Sequence, residues 1–228
     1  MTREEFLKVF PGLIMNYQPA PDVLSHIGNV ELLMIIGPSG AGKTTIINQL
    51  GLPYIPSDVT RAPRVGEKSG MDYYLRSDYD QIIEDIKAGQ FVQTAVSPSG
   101  DFYATKSSSY PVYGTGVMAI VADVIPIFRR LGFSKTISAF IVPPSYDEWL
   151  RRMKNHPIND DLSSMRMAEA RRSLEFALND QESHLILNDD LSKAVQQVKE
   201  LMEGQIDRQR EGLAKESLKA LLDSINNA

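Results

Sequence analysis

The 228-residue chain has no cysteine. Disulfides, thiolate metal ligands and cysteine nucleophiles are therefore excluded, and a reducing, cytoplasmic setting is the expectation. Nor is there an excess of positive charge. The formal net charge is −5, which argues against a general nucleic-acid or membrane surface, so any phosphate binding must come from a few placed residues. No apolar run approaches the roughly 20 residues of a membrane span, and the opening Met1-Thr2-Arg3-Glu4-Glu5 lacks the apolar core of a signal peptide. Internal repeats and low-complexity tracts are also absent. What remains is ordinary for a globular chain, with 43% hydrophobic and 23% charged residues, and the length suits one large domain or one core with small inserted lobes.

Along the chain, residues 2–10 read as a short helix stopped by Pro11-Gly12, followed by a proline-containing stretch with one helical turn over 22–27. This N-terminal extension, 1–30, is expected to pack outside the core. The run Glu31-Leu32-Leu33-Met34-Ile35-Ile36 reads as a buried parallel strand. A glycine-rich loop over 37–44 and a helix through Leu50 follow. Residues 53–110 hold short strand-like pieces, turn signals and a helix over 79–88 capped by Ser77 or Asp78, which suggests a small inserted lobe. The core then resumes with strands over 117–122, 135–142 and 184–187. Helices are expected over 125–131, from Ser145 to Met153, over 162–183 and over 190–225, with Gly204 and Gly212 as possible breaks. Residues 154–161 form a polar break. Strands alternating with helices imply an α/β fold with a parallel sheet covered on both faces. His26, His184 and Trp149 are read as packing or surface residues.

Gly37-Pro38-Ser39-Gly40-Ala41-Gly42-Lys43-Thr44 fits G-x-x-x-x-G-K-[ST] without a mismatch, between an apolar strand and a helix. Glycines there let backbone N–H groups turn inward around phosphate oxygens, and the helix N-terminus adds partial positive charge. The expected nucleotide-binding set is Gly37, Ser39, Gly40, Ala41, Gly42, Lys43, Thr44 and Thr45. Lys43 can reach the β- and γ-phosphates, and the Thr44 hydroxyl can bind Mg²⁺. Asp123, placed at the end of an apolar strand, is the expected second metal ligand. About a dozen residues beyond the loop, Arg61 and Arg64 stand three apart around Pro63. Each offers a rigid fork of donors matched to phosphate oxygens.

These features together resemble guanylate kinase over roughly residues 31–202. The resemblance is carried by the phosphate loop, by Ser57 through Tyr73, and by Phe102-Tyr103-Ala104-Thr105. Further on it rests on Ile141-Val142-Pro143-Pro144-Ser145, on Arg166 with Ala170-Arg171, and on Asn188-Asp189-Asp190-Leu191. It implies a P-loop kinase fold over 31–203 with an acceptor lobe at about 57–110, a lid at about 154–166, and a C-terminal helical extension over 204–228. It also implies that Ser57, Arg61, Arg64, Tyr73 and Tyr103 hold the acceptor's phosphate, that Thr105 contacts the base, and that Arg152, Arg166 and Arg171 embrace the phosphates in transfer. The chain departs from the family at four places. Gln93 stands where a glutamate reads guanine, Val121 replaces one of two aspartates of which Asp123 is kept, Ala104 replaces a glycine, and His156 stands for a lid arginine. A glutamine presents one acceptor and one donor where the carboxylate presents two acceptors.

The expected activity is transfer of the γ-phosphoryl of ATP, with Mg²⁺, to a nucleoside monophosphate, GMP first. Gln93 and Asp123 are counted with the acceptor-side residues. Two alternatives stand beside it: a ribose-phosphate kinase, which loss of base-reading groups would suit, and a non-catalytic binding module, against which the intact Lys43-Thr44 argues. No N-K-x-D motif supports a regulatory GTPase. The expected partners are small nucleotides, with neither nucleic acid nor membrane.

Overall fold

The computed structural model describes residues 1–63, 68–71, 73–97, 100–154 and 161–227, with the side chains at 161–165 outside that description. Arg64, the turn at 65–66, Asp72, Ser99 and the polar break with His156 therefore fall outside the described residues. The chain divides into two compact units. One comprises Met1–Glu31, Pro53–Gly116 and Ile127–Lys135, the other Leu32–Leu52, Val117–Pro126 and Thr136–Ala228.

In the first unit, α1 (Arg3–Ile14) opens with a capping box, in which Thr2 accepts from the Glu5 amide and Glu5 from the Thr2 amide. Contrary to expectation, the helix runs through Pro11. Its one apolar stripe explains why: Phe6 and Phe10 are fully buried, and that burial outweighs the bond lost at the proline. This also corrects the view of the extension as lying outside the core. Phe6 and Phe10 share a hydrophobic cluster with Phe91, Phe102, Ala104 and with Ile82, Ile83 and Ile86 of the lobe helix. A short α2 (Pro21–Ile27) follows, with its proline at the favoured first turn.

The lobe sheet contains β2 (Ser57–Val59), β3 (Tyr73–Leu75), β4 (Phe91–Val96) and β5 (Phe102–Lys106), in the order β3-β2-β5-β4. Between β3 and β4 lies α4 (Tyr79–Lys87). Asp78 is its N-cap, but the Asp78 carboxylate caps nothing; it is taken by the Arg76 guanidinium at 2.7 Å. Asp58 is buried beside the same arginine. Desolvation raises its pKa, an effect that hydrogen bonding to Arg76 opposes.

The other sheet has the order β6-β1-β7-β8, with β1 at Val30–Ile36, β6 at Gly114–Ala119, β7 at Lys135–Val142 and β8 at Ser183–Leu187. It is a parallel four-stranded sheet flanked by helices. The register of β7 on β8 pairs Ser138 with Ser183 and Val142 with Leu187. Around it stand α3 (Lys43–Leu50), α5 (Ile125–Phe128), α6 (Tyr146–Lys154), α7 (Asp161–Asn179), α8 (Leu191–Met202) and α9 (Arg208–Asn226). Several expected boundaries move. β6 stops at Ala119 and a 3₁₀ turn over Ala122–Val124 carries Asp123; α5 is one turn; α7 ends at Asn179. The final helical region breaks once, at Gly204 with φ 80°, whereas Gly212 sits inside α9. α9 buries Ala214, Leu218, Leu221 and Ile225 and packs on β8 and α7.

The burial of α1 makes a direct expectation. Phe10→Ala removes a fully buried ring and should lower unfolding free energy by about 3–5 kcal/mol, read by urea denaturation. A loss below about 1 kcal/mol would contradict the placement of α1 in the lobe core.

Candidate active site

The phosphate loop leaves β1 at Gly37 and enters α3 at Lys43. Gly37, Gly40 and Gly42 have φ of 140°, 80° and 96°, values that residues with a Cβ rarely adopt. Space imposes the same requirement. A Cβ on Gly37 would lie 2.5 Å from the Ile141 carbonyl oxygen, one on Gly40 2.9 Å from Met153 Cγ, and one on Gly42 2.4 Å from Asn188 Nδ2. Gly42 caps α3 without a side-chain hydrogen bond, and the N-terminus of the helix points its amides toward the loop, the polarity that favours an anion. Lys43 Nζ donates to the carbonyls of Gly37 at 2.6 Å and Pro38 at 3.0 Å, which folds the ammonium over the loop. Thr44 and Thr45 are exposed on the first turn.

The loop's outward carbonyls are tied down by side chains from other elements of the same unit. Trp149 Nε1 on α6 donates to Ser39 O at 2.7 Å, and Asn188 Nδ2, just past β8, donates to Ala41 O at 2.8 Å. Both side chains are buried. Arg152 donates to the Asn188 carbonyl at 3.1 Å and to Glu148 at 2.8 Å, and its Nη1 lies 4.0 Å from the position of a Cβ on Gly42. Hydrogen bonds from Arg151 and then Arg152 hold the Glu148 carboxyl down at about 2, so it stays ionised through the mildly acid range. Arg152 is thus at the loop. Arg166 stands half-buried on α7, and exposed Arg171 on the same helix donates to the Ile225 carbonyl of α9 at 3.4 Å. Asp123 is exposed in its 3₁₀ turn.

In the first unit, strand register gathers the expected acceptor residues. Ser57 pairs with Tyr73, Val59 with Tyr103, Ala95 with Tyr103, and Gln93 with Thr105. Side chains alternate along each strand, so Ser57, Tyr73, Gln93, Tyr103 and Thr105 share one face of the lobe sheet. Arg61, just beyond β2, joins them: its Nε donates to the Tyr103 hydroxyl at 3.1 Å and its guanidinium carbon lies 4.6 Å from the centre of the Tyr73 ring. The opposite face carries Phe102 and Ala104 into the core. Gln93 and Thr105 are buried, and the Thr105 hydroxyl is 2.8 Å from that of buried Tyr110. Gln93 Nε2 is buried and has no hydrogen-bond partner among the described residues.

Sequence reasoning missed the supporting residues. Trp149 was expected as packing, which it does, but its indole N–H also holds the loop. Asn188 carried part of the resemblance without a role. A lone tryptophan on a helix with an indole N–H to satisfy was the available signal; for Asn188 only the fold brings 188 to 41.

A family model described as guanylate kinase matches residues 29–205. The chain is 30% identical over 186 residues to the guanylate kinase of Wolbachia sp. subsp. Brugia malayi (strain TRS), covering 75% of this chain and 91% of that protein. It is 29% identical over 201 residues to the guanylate kinase of Synechococcus sp. (strain JA-3-3Ab), covering 84% and 90%. Among solved structures, guanylate kinase from Anaplasma phagocytophilum has the same fold, with a TM-score of 0.56 at 21% identity over 80% of this chain and 89% of that one.

The ties on the loop are testable in isolation. Asn188→Ala leaves the Ala41 carbonyl without its donor and is expected to cost about 1–3 kcal/mol of stability. Nucleotide affinity should fall with it. Urea denaturation and titration with a non-hydrolysable nucleotide read the two effects; an unchanged affinity would show that the loop keeps its shape without Asn188.

Proposed function

The chain belongs to the guanylate kinase family, and from that premise we propose that it transfers the γ-phosphoryl of ATP to GMP, giving GDP and ADP. The observation that carries this reading is the pairing, in one chain, of an intact phosphate loop with a sheet face bearing Arg61, Tyr73 and Tyr103 together. ATP is held by the backbone N–H groups of Gly37 and of Ser39 through Thr44, Pro38 having none, with Thr45 contributing. The glycine cradle fits a phosphate chain because its positions exclude a Cβ.

Each residue has a role that follows from its chemistry. Lys43, now bonded to loop carbonyls, exchanges those bonds for the β- and γ-phosphates. Arg152, beside the loop, neutralises charge on the transferred group, and Arg166 and Arg171 are assigned the same task. Mg²⁺, a cation of oxygen ligands, suits Thr44 and Asp123, whose oxygens are exposed, and supplies charge neutralisation on the phosphates when bound. Arg61 grips the acceptor phosphate with Arg64, Ser57, Tyr73 and Tyr103. In the reaction an oxygen of that phosphate forms a bond to the γ-phosphorus while the bond to the ADP oxygen breaks. The protein's part is positioning and charge stabilisation.

Gln93 and Thr105 are assigned to the base. The buried Gln93 amide presents one acceptor and one donor to the two donors on guanine's edge, so guanine leaves its N–H₂ group unpaired and the preference for guanine falls. Retained guanine recognition then rests on Thr105 and on the single acceptor oxygen of Gln93. The domain layout proposed is an N-terminal extension, a kinase domain over 31–203 with acceptor lobe and lid, and a C-terminal helical extension. A cytoplasmic setting suits the absence of cysteine; among the described residues no helix is long and apolar enough to cross a membrane.

Two variants test this. Lys43→Ala should reduce kcat by on the order of 10²–10³, as removal of one preorganised electrostatic donor does; a variant with wild-type turnover would overturn the mechanism. Gln93→Glu should raise kcat/KM for GMP over other monophosphates by roughly 1–3 kcal/mol, the scale of an unpaired buried donor relieved. If the wild type already prefers GMP strongly and the variant leaves that preference unchanged, Gln93 does not read the base.

A further inference from the structure

The pairing of β4 with β5 contains an irregularity that decides which residues face the acceptor. Gln93 pairs with Thr105, but Phe91 pairs with Lys106, so the register shifts between Phe91 and Gln93. In a regular strand, residues 91 and 93 point the same way. The extra residue at Val92 changes that parity. Phe91 enters the hydrophobic cluster with Phe102 and Ala104, while Gln93 lies opposite Thr105 on the other face. Without the bulge, one of the two would have to sit on the wrong side.

Phe91 is also where the N-terminal extension grips the lobe. β4 lies at the edge of its sheet, so among the described residues its outer backbone groups have no strand partner. The Tyr17 hydroxyl donates to the Phe91 carbonyl at 2.5 Å and accepts from the Phe91 amide at 2.8 Å. Burial pushes the Tyr17 phenol up to about 12, so it keeps the proton it donates. Two residues before Phe91, the Ala20 amide donates to the Gly89 carbonyl at 2.9 Å. At the far end of β4, Arg3 donates to buried Asp101 at 2.9 Å in the β4–β5 turn. All of these contacts come from residues ahead of the family match, which begins at residue 29.

We propose that Tyr17 is a positioning residue for the acceptor site: by binding both backbone groups of Phe91 it fixes the β4 bulge, and the bulge sets Gln93 opposite Thr105 on the base-reading face. The N-terminal strap is thereby part of acceptor selection. The inference rests on the assignment of this face to the acceptor nucleotide.

Tyr17→Phe keeps the ring and removes only the oxygen. In the full-length protein, KM for GMP should rise roughly tenfold, the scale of a buried hydrogen bond left unmade. KM for ATP should stay unchanged, and hydrogen exchange should speed up at the Gln93, Thr94 and Thr105 amides. Phe10→Leu serves as the structural control, since it loosens the same helix and the cluster it shares with Phe91 but removes neither Tyr17 hydrogen bond; it should lower thermal stability and shift KM for GMP by much less than Tyr17→Phe. Ala20→Pro is a second route to the strap: Ala20 already has φ −65°, and the proline ring replaces the N–H bonded to Gly89 with a Cδ set against that carbonyl, so it should shift KM for GMP in the same direction. If Tyr17→Phe lowers stability while KM for GMP matches wild type, or if Phe10→Leu shifts KM equally, Tyr17 is merely structural and the proposal fails. If the wild type does not phosphorylate GMP, the functional assignment fails separately, and the exchange rates at Gln93 and Thr105 still decide whether Tyr17 holds the bulge.

Discussion

A loop that binds phosphate through backbone N–H groups must hold its carbonyls elsewhere. That constraint organises the nucleotide half of this protein. The glycines at 37, 40 and 42 permit the inward turn of the amides, and the Ile141 carbonyl, Met153 and Asn188 fill the space where Cβ atoms would otherwise lie. Trp149 and Asn188 then take the outward carbonyls of Ser39 and Ala41. Arg152 binds the backbone of one of these two side chains and lies one turn from the other on α6. The loop's geometry and the placement of a candidate phosphate-neutralising charge therefore share the same few contacts. A change at Asn188 or Trp149 releases a carbonyl of the loop rather than a residue on its inner face.

The acceptor half depends on strand parity. Four short strands present one face to the core under α1 and α4 and the other to the candidate acceptor residues. On that second face, Arg61 is braced between the Tyr73 ring and the Tyr103 hydroxyl. Arginine in that setting loses little side-chain freedom when it meets a phosphate, because its aromatic neighbours already fix its plane. Phe91 is the exception to regular alternation: Gln93 continues the register that runs to Val96, and the bulge at Val92 lets Phe91 face the core while Gln93 keeps this face. The residue expected to read the base and the irregularity beside it occupy the same strand.

Much of this was legible in the sequence, for identifiable reasons. The phosphate loop and the end of α3 at Leu50 are legible because glycine, lysine and hydroxyl spacing is dictated by local backbone chemistry, although the helix starts at Lys43, inside the loop motif. β7 was read end to end because it is an unbroken apolar run. The gathering of Ser57, Arg61, Tyr73, Tyr103 and Thr105 followed from resemblance, and strand register shows how they reach one face. The illegible parts are those in which tertiary packing overrides local preference. Helix α1 runs through Pro11 because Phe6 and Phe10 find a core that lies far along the chain. Asp123 falls in a 3₁₀ turn beyond β6, since the strand ends at Ala119. Nothing in the spacing of Tyr17 and Phe91 announces that one completes the backbone of the other.

The central claim is that this chain is a guanylate kinase in activity as well as in family. The most direct measurement follows ADP formation by the wild-type protein with ATP and Mg²⁺, with GMP, dGMP, AMP, UMP, CMP and a ribose bisphosphate offered in parallel. The expected result is acceptor-dependent ADP release, greatest with GMP and accompanied by stoichiometric GDP. Release that is independent of acceptor, or greatest with the ribose bisphosphate, would contradict it.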